Sequence, residues 1–452
     1  MSKFSKKPQK TKNLPVINDR AAGIDIGASD HYVAVPAHLS EKNIQTFSTF
    51  SEDLEKLGDW LVSIGITSVA MESTGIYWLG IYEVLERKGL EVCLVNAHHI
   101  KNVPGRKSDV QDCQWIQQLH SYGLLSASFI PDEATRELRY FVRQRSSLQK
   151  TKKTKLHHIG KALQLMNIKL QNVIARLESK VGMQVVRAIA MGETNPENLV
   201  NFHTSQMKCT KEEFKASLTG NFQRVHLFAL QQALDHYDFI RSQMKNCETE
   251  IEKILHLWEQ GELIGNDVPF QGRPKNKTVR QNEYSFEAGD YLHSILGVDL
   301  TKVKGLNELT ILEVISETGT DFSRWKTAQH FASWLQLVPR PKITGGKVRA
   351  HSKSAEKSRA HQAFKLAAWS LHSSSCHLGA MYRSLSIRRG KTVAVKAIAR
   401  KLAVIFYTMV KNQTEYKPQA ADEYEKKKQA AKIKRLEKEA KKLGMTLHKN
   451  AS

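Results

Sequence analysis

The sequence predicts an α/β domain followed by mainly α-helical regions, and three observations support this fold class. Short apolar runs rich in β-branched or aromatic residues, separated by polar turns, begin at Ala21. Past Pro131 such runs largely stop, and apolar residues recur at intervals of three and four, the period of a helix. The length of 452 residues is enough for about three domains of ordinary size. We therefore expect an N-terminal α/β domain with helical domains after it.

The N-terminal elements are predicted in the order strand, strand, strand, helix, strand, helix, strand. The first helix has Leu54, Leu57 and Leu61 at helical spacing, and Ser51 is its expected N-cap. Three strands in a meander followed by alternating helix and strand are typical of the ribonuclease H type of α/β sheet. The seven segments are AAGIDIGA, HYVAVPAH, NIQTFSTF, SEDLEKLGDWLVSIG, ITSVAME, YWLGIYEVLERKG and LEVCLVNA.

The rest of the chain divides by composition into helical and polar segments. Two long helical patterns, joined by a less regular stretch, predict an antiparallel hairpin or a dimerising coiled coil. A later domain is predicted to be mainly helical, with the polar loop RPKITGGKVRAHSKS inside it. The predicted division is a disordered basic arm (1–18), the α/β domain (19–130), a helical coiled-coil domain (131–260), a linker or inserted loop (261–290), a C-terminal domain (291–416) and a charged tail (417–452).

The composition indicates the class of partner. The chain has 68 Lys and Arg against 45 Asp and Glu, which leaves a net charge of +23 at pH 7. Such an excess favours polyanions, and for a soluble protein the commonest of these is nucleic acid. No segment resembles a membrane span or a signal peptide, so we expect a cytoplasmic protein without a membrane partner. Five scattered cysteines argue against a disulfide framework and against a structural zinc site.

Four acidic residues are the candidate metal ligands. Asp25 lies inside the first predicted strand, and Glu72 ends the fourth. Asp109 and Asp112 are three residues apart at the start of a predicted helix, so both lie on one face. If the strands are neighbours, the four carboxylates meet at one end of the sheet, where all-oxygen ligation selects Mg²⁺ or Mn²⁺. The alternative for each acid is an ordinary turn, cap or helix-dipole residue.

The first long helical pattern carries a set of basic residues that predicts contact with nucleic-acid phosphates. The alternative is a solvated helix face. The set consists of Arg143, Arg145, Lys150, Lys152, Lys153 and Lys155.

Four segments together carry a resemblance to a known family. They are GIDIG, MESTGIYW, VNAHHIKNVPGRKSDVQDCQWI and FASWLQLVPRPKITGGK. The chain resembles the DEDD transposases of bacterial insertion sequences over roughly residues 20 to 415, and it looks most similar to the subgroup with longer coiled-coil and C-terminal segments. These are RuvC-like recombinases whose better-studied members use a bridge RNA to pair donor and target DNA. The resemblance implies that residues 19–130 form a RuvC-like domain holding Mg²⁺ through Asp25, Glu72, Asp109 and Asp112.

The resemblance also implies a hydroxyl nucleophile in the C-terminal transposase domain, which would form a covalent protein–DNA intermediate. In the family this residue is a serine just before a glycine-rich turn, and the matching position here is Thr344. Ser352 and Ser354 are alternatives, as is a step carried out by metal-bound water. Residues expected to contact DNA around this turn are Gly345, Gly346, Lys347 and Arg349.

The partners that the resemblance implies are element-end and target DNA, a structured guide RNA, and further copies of the chain in a dimer or tetramer associated with the nucleoid. The main alternative is a hydrolytic RuvC-like nuclease or junction resolvase that uses the same four acids without a protein nucleophile. An actin-like ATPase, suggested by GIDIGAS, would need a second phosphate loop and an adenosine motif, and the sequence has neither. A non-catalytic nucleic-acid-binding protein would not need all four carboxylates.

Overall fold

The computed structural model describes residues 15–73, 75–96, 108–261, 272–275, 282–339, 341–345, 347–351, 358–417 and 421–446. The chain divides between Ile130 and Pro131 into two compact units, called here the N-terminal unit and the C-terminal unit.

The N-terminal unit contains a five-stranded mixed sheet in the order β3-β2-β1-β4-β5. The β1–β2 and β2–β3 pairs are antiparallel, and the β1–β4 and β4–β5 pairs are parallel. This topology confirms the predicted ribonuclease H-like sheet. The elements are β1 (Ala21–Ile26), β2 (Asp30–Ala34), β3 (Ile44–Ser48), α1 (Ser51–Ser63), β4 (Ser68–Glu72), α2 (Trp78–Arg87), β5 (Glu91–Val95) and α3 (Asp109–Ser121).

One local prediction in this unit is wrong. Ser51 is the first residue of α1 and not its N-cap, a position that Phe50 takes without a side-chain cap. The hydroxyl of Ser48 instead accepts a hydrogen bond from the Phe50 backbone N–H, and it donates one to Asp53 in the first turn. Ser48 therefore stabilises the chain at the entry to α1, but no side chain caps the helix.

One face of the sheet forms the main core of the N-terminal unit. Side chains of β1, β2 and β4 on this face pack against α1 and α2, and alternate residues of each strand point to it. Burial of this apolar surface stabilises the unit by about 25 cal/mol per Å². The core includes Ile24, Val33, Val69 and Met71 from the strands, Leu57 and Leu61 from α1, and Ile81 and Leu85 from α2.

The opposite face of the sheet is covered by α3, which packs against β1, β2 and β4. Gly23 lies in β1 at the crossing point. A Cβ atom at this position would lie 2.6 Å from the Cys113 carbonyl oxygen and 2.7 Å from the Gln117 Cα, with the Gln117 backbone nitrogen nearer still. Glycine therefore allows the helix backbone to lie directly on the strand.

The C-terminal unit is built around two long helices, α4 and α9. Arg145 of α4 pairs with Glu248 of α9, whereas Leu163 of α4 shares a core with Leu230 of α9, so the two helices run antiparallel. This pair confirms the predicted long helices. The first helices of the unit are α4 (Glu133–Leu165), α5 (Leu170–Val173), α6 (Lys180–Ala190), α7 (Pro196–Leu199), α8 (Lys211–Ser217) and α9 (Arg224–Glu259).

The remaining helices enclose an aromatic core. Rings of Phe322, Trp325, Phe331, Phe364 and Phe406 contact one another at centroid distances between 5.0 and 6.3 Å. Within the predicted linker, Tyr284 and Phe286 are buried. The helices are α10 (Ala288–Leu296), α11 (Glu308–Thr318), α12 (Ala328–Trp334), α13 (Arg359–Ser370), α14 (His377–Arg389), α15 (Lys391–Asn412) and α16 (Ala421–Lys442), with 3-10 turns at Val200–Phe202, Leu300–Lys302 and Leu371–Ser373.

The predicted polar loop is not entirely irregular. It contains an antiparallel hairpin of β6 (Pro341–Thr344) and β7 (Lys347–His351), in which Thr344 pairs with Lys347. The Gly-Gly pair between these residues is typical of a two-residue hairpin turn, and Gly345 has a φ of +58°. In the described part of the C-terminal unit, these two strands interrupt the series of helices. None of the helices in the described part of the chain has both the length and the apolar character needed to cross a membrane.

We predict that Gly23→Ala destabilises the N-terminal unit by about 1 to 3 kcal/mol, because the new methyl group would overlap backbone atoms of α3 that cannot move aside. The measurement is urea unfolding of the full chain. Gly80→Ala in α2 is the matched control, since its Cβ would meet only Leu54 at 3.6 Å and alanine favours a helix. Equal unfolding midpoints for the two variants would contradict the proposed contact.

Candidate active site

Asp25 and Glu72 lie side by side at the ends of two parallel strands. The register of β1 and β4 pairs Ile24 with Met71, and each acid is the next residue of its strand. Ile24 and Met71 point into the main core, and successive side chains alternate between faces. Asp25 and Glu72 therefore lie on the opposite face, the one covered by α3.

The other two acids lie in the first turn of α3. The side chain of Ser108 caps this helix by accepting a hydrogen bond from the Gln111 backbone N–H. Asp109 is the first residue of the helix and is exposed, and Asp112, three residues on, is half-buried. The predicted position of this pair is thus correct, because a cap residue followed by acidic residues defines a helix start.

The electrostatics of Asp25 show that the four acids share one region. Burial, followed by the charges of Asp109, Asp112 and Glu72, raises the pKa of the Asp25 carboxyl from 3.8 to about 6. A hydrogen bond from the Ile26 backbone opposes this shift. When Asp25 loses its proton, its charge lies among three like charges, so a cation in this region would be strongly favoured.

Cys113, whose thiol interacts electrostatically with Asp25, is a poor ligand. Cys113 of α3 is fully buried, and burial together with the charge of Asp25 raises the pKa of its thiol to about 12. Its thiol donates to the Val110 carbonyl oxygen at 3.1 Å. Since a coordinating cysteine must be a thiolate, Cys113 is a poor donor, whereas the four acids offer oxygen atoms.

The residues fit a hard divalent cation in donor type and in charge. Carboxylate oxygens are the ligands of Mg²⁺ and Mn²⁺, and after burial the negative charges of the other three acids raise the pKa of Asp25 further. In the part of the chain that the structure describes, no three His, Cys, Asp or Glu side chains are grouped to hold an ion. The strands and α3 place the four acids close enough to interact electrostatically, but their carboxylates are not arranged as a complete set of metal ligands.

The candidate nucleophile lies in the C-terminal unit. Thr344 is the last residue of β6, directly before the turn of the hairpin, and its side chain is exposed. Gly345 and Lys347 are also exposed. Among the other predicted residues of this region, Gly346, Ser352 and Ser354 lie outside the described residues, as does the side chain of Arg349.

Two residues of the predicted basic stripe on α4 are interior residues, which corrects their predicted role as phosphate contacts. Arg145 is 3% exposed, lies 2.7 Å from Glu248, donates to two backbone carbonyls and stacks on the Tyr284 ring. Lys152 is buried and lies 3.1 Å from Glu178. Their spacing in the sequence predicted the same exposure as for the other basic residues of α4. Packing of α9 and its neighbours covers the side of α4 on which these two lie.

The other four residues of the stripe have accessible side chains. Lys150 and Lys153 are exposed, Lys155 is half-buried, and Arg143 is 44% exposed. Arg143 makes two hydrogen bonds, of 2.9 and 2.8 Å, to the buried Glu317 of α11. Phosphate contact by these four residues stays a prediction. In Arg143 the guanidinium would have to bind a phosphate while it is also paired with Glu317.

Sequence reasoning missed Gly23, which sets the distance between β1 and α3. A glycine inside an apolar strand, two residues before an acidic one, is the pattern that could have indicated it. It also missed Glu317, which holds Arg143 and accepts from Arg139 through its backbone carbonyl. Nothing in the sequence around Glu317 distinguishes it from a surface glutamate.

Comparison with protein families gave two matches. Residues 22–168 match the DEDD-type IS110 model, described as Transposase, and residues 299–383 match the model described as Transposase IS116/IS110/IS902 family. The first range contains the four acids, and the second contains Thr344. Among curated proteins no sequence matched the chain.

We predict that Arg145→Ala lowers the stability of the C-terminal unit by about 3 to 5 kcal/mol, because it leaves Glu248 buried without its charge partner. Lys153→Ala, at an exposed position of the same helix, should change stability by less than about 0.5 kcal/mol. Chemical unfolding followed by circular dichroism measures both. A near-neutral Arg145→Ala would contradict the interior role.

We predict that Asp25→Asn stabilises the metal-free protein at pH 8 by about 1 to 2 kcal/mol after allowance for solvent screening. Because the pKa of this carboxyl is about 6 in the folded state and 3.8 ordinarily, the folded protein binds more protons between these values. Its contribution to stability therefore falls as pH rises from about 4 to about 7. The gap between variant and wild type should close near pH 4.

Thermal unfolding in chelator at several pH values tests this. Asp19→Asn, which removes an exposed carboxylate of the same unit, is the matched control. A difference between Asp25→Asn and wild type that grows toward low pH would have the wrong sign.

Proposed function

Because this chain belongs to the DEDD transposases of the IS110 family, with matches that together cover just over half of its residues, we propose that it cuts and rejoins DNA at the ends of an insertion element. The two matches directly support a DNA-processing enzyme of a transposase family. The proposal rests on the electrostatic interaction of Asp25 with the other three acids, Glu72, Asp109 and Asp112.

In the proposed reaction the four acids form the metal-binding site. Asp25 and Glu72 would supply ligands from the sheet, and Asp109 and Asp112 would supply ligands from α3. When bound, Mg²⁺ would offset the charge of the scissile phosphate and polarise its oxygens. The close contact of α3 with β1 at Gly23 would help to hold the acids of the helix near those of the sheet.

The nucleophile in the proposed reaction is the Thr344 hydroxyl. Its oxygen attacks the DNA phosphorus and forms a phosphoester, while the bond from phosphorus to one deoxyribose oxygen breaks. The proton lost by threonine ends on that deoxyribose oxygen, so atoms and charge balance. Attack by a deoxyribose hydroxyl of another DNA end on this phosphoester reverses the step and joins the new strand.

The position of Thr344 supports this role. An exposed side chain at the tip of a two-residue hairpin, beside the exposed Gly345 and Lys347, leaves room for a DNA backbone. The β-methyl group of threonine restricts χ1, which favours a serine at such a position when rotation is needed. Ser352, Ser354 and a metal-bound water are the alternative nucleophiles, and the water would make the protein a hydrolytic nuclease.

We also propose a structured guide RNA and an even-numbered assembly. The net charge of +23 exceeds what a single duplex contact needs, and it supports binding of several nucleic-acid strands at once. Exchange between two duplexes requires cleavage of both, so two or four copies of the active site would act together. Work on DNA and RNA would associate the protein with the nucleoid.

We predict a denaturant-resistant protein–DNA adduct when the full chain is incubated with element-end DNA, the adjoining noncoding RNA and Mg²⁺. Thr344→Ala should reduce the adduct by at least about 100-fold because no hydroxyl remains, and Thr344→Ser should retain or raise it. Asp25→Asn should abolish it in the presence of Mg²⁺. Denaturing electrophoresis of labelled DNA measures all four proteins.

The outcomes separate the candidate reactions. An undiminished adduct in Thr344→Ala would show that another residue is the nucleophile, and single variants of Ser352 and Ser354 would then identify it. Hydrolysed ends without any adduct would favour the nuclease. Cleavage that Asp25→Asn leaves unchanged would remove the basis of the metal site.

A further inference from the structure

The positive charge of the chain is concentrated in one stretch of the sequence. Residues 322 to 414 contain 18 Lys and Arg and a single acidic residue, Glu356, which leaves a formal charge of +17 out of the +23 of the whole chain. Uncompensated charge of one sign repels itself and destabilises a compact state. Such a stretch therefore indicates a surface that meets a polyanion.

Within this stretch, α14 and α15 contain basic but no acidic residues. The exposed positions of α15 include Lys396, Arg400 and Lys401, and Arg389 and Lys391 are exposed where α14 ends and α15 begins. We call these five residues the basic face. Lys396 and Arg400 are four residues apart and lie above one another on the helix surface.

The basic face differs from the paired cationic residues of α4. Arg143, Arg145 and Lys152 are each paired with a glutamate. No ion pair involves any of the five residues of the basic face in the part of the chain that the structure describes. Their charge is thus available to a ligand, and no internal carboxylate has to be displaced.

The helix that carries the basic face is firmly anchored. Its opposite side buries Ile398, Leu402 and Phe406, and Phe406 packs against other rings of the aromatic core. From Lys396 to Arg400 the helix extends about 6 Å, which equals about two base-pair steps along a duplex at about 3.4 Å each. These two cations are fixed one helical turn apart and match phosphates of one strand, whereas Lys391 and Lys401 project from other sides of the helix.

We infer that the basic face binds the phosphate backbone of duplex DNA outside the active site, an inference that rests on the proposed function for the choice of DNA. The sequence from Lys391 to Lys401 contains no Asn, Gln, Asp or Glu, the side chains that pair with adenine or cytosine edges. Lysine and arginine bind phosphates of any sequence, and the inference assigns these contacts to the phosphate backbone. They position the duplex and do not select it. Contact with guanine edges would instead make binding depend on the sequence of the duplex.

The test is the salt dependence of binding to a labelled DNA duplex by the full chain, measured by fluorescence anisotropy without Mg²⁺. The variant combines Lys396→Gln with Arg400→Gln. The logarithm of the association constant falls with the logarithm of the salt concentration, and loss of two phosphate contacts should reduce the magnitude of this negative slope by about 2. Binding should weaken roughly tenfold at about 100 mM salt. The effect should be the same for element-end and unrelated duplexes.

The matched control is the pair Arg241→Gln and Lys245→Gln. These two residues are also exposed and four apart on a long helix, but acidic residues surround them in the sequence. They should leave the slope unchanged. A charge-conserving variant, Lys396→Arg with Arg400→Lys, should retain the wild-type slope, which separates charge from folding, and thermal unfolding of all variants checks the latter.

A slope that Lys396→Gln with Arg400→Gln leaves unchanged would overturn the inference, and so would an effect seen with structured RNA but not with duplex DNA. Failure of the wild-type chain to bind DNA at all would instead overturn the proposed function. An equal loss in the α9 control would show that only total charge matters, and this result also counts against the basic face.

Discussion

The candidate active site depends on the direct contact between α3 and β1 at Gly23. Four carboxylates close together repel one another, so the fold has to hold them there against that repulsion. The strand register fixes Asp25 beside Glu72, and the absence of a side chain at Gly23 lets α3 lie on the strand so that Asp109 and Asp112 reach the same region. Apolar burial on the other face of the sheet supplies the free energy that maintains this arrangement.

The fold of the N-terminal unit was predictable because local and tertiary preferences agree there. The strands are short, bounded by turn residues and rich in β-branched side chains, and the order of elements leaves few topologies. The positions of the four acids followed from the same pattern, since Asp25 and Glu72 lie within or at the end of a predicted strand, and Asp109 and Asp112 lie in the first turn of a predicted helix. The order of the strands could be predicted without knowing which residues contact one another. The contact between α3 and β1 could not, because it depends on the absence of a side chain at Gly23.

Other features could not be predicted because they depend on residues far apart in the sequence. Arg145 and Lys150 look alike in the sequence of α4, but Glu248, more than 100 residues away, makes one an interior residue. The hairpin at Thr344 was hidden because its strands are short and contain Pro341, Lys342 and other residues that are uncommon in strands. Pairing between two short strands is decided by the turn and its surroundings rather than by propensity.

The distribution of charge along the chain has a consequence for how the two units act. The four acids concentrate negative charge in the N-terminal unit, and residues 322 to 414 concentrate positive charge in the C-terminal unit. In the proposed function, DNA would be attracted by the second region and repelled by the first until cations neutralise the carboxylates. Metal binding would therefore decide whether bound DNA can approach the acids, so binding of the duplex and its cleavage would be separable steps with opposite electrostatic requirements.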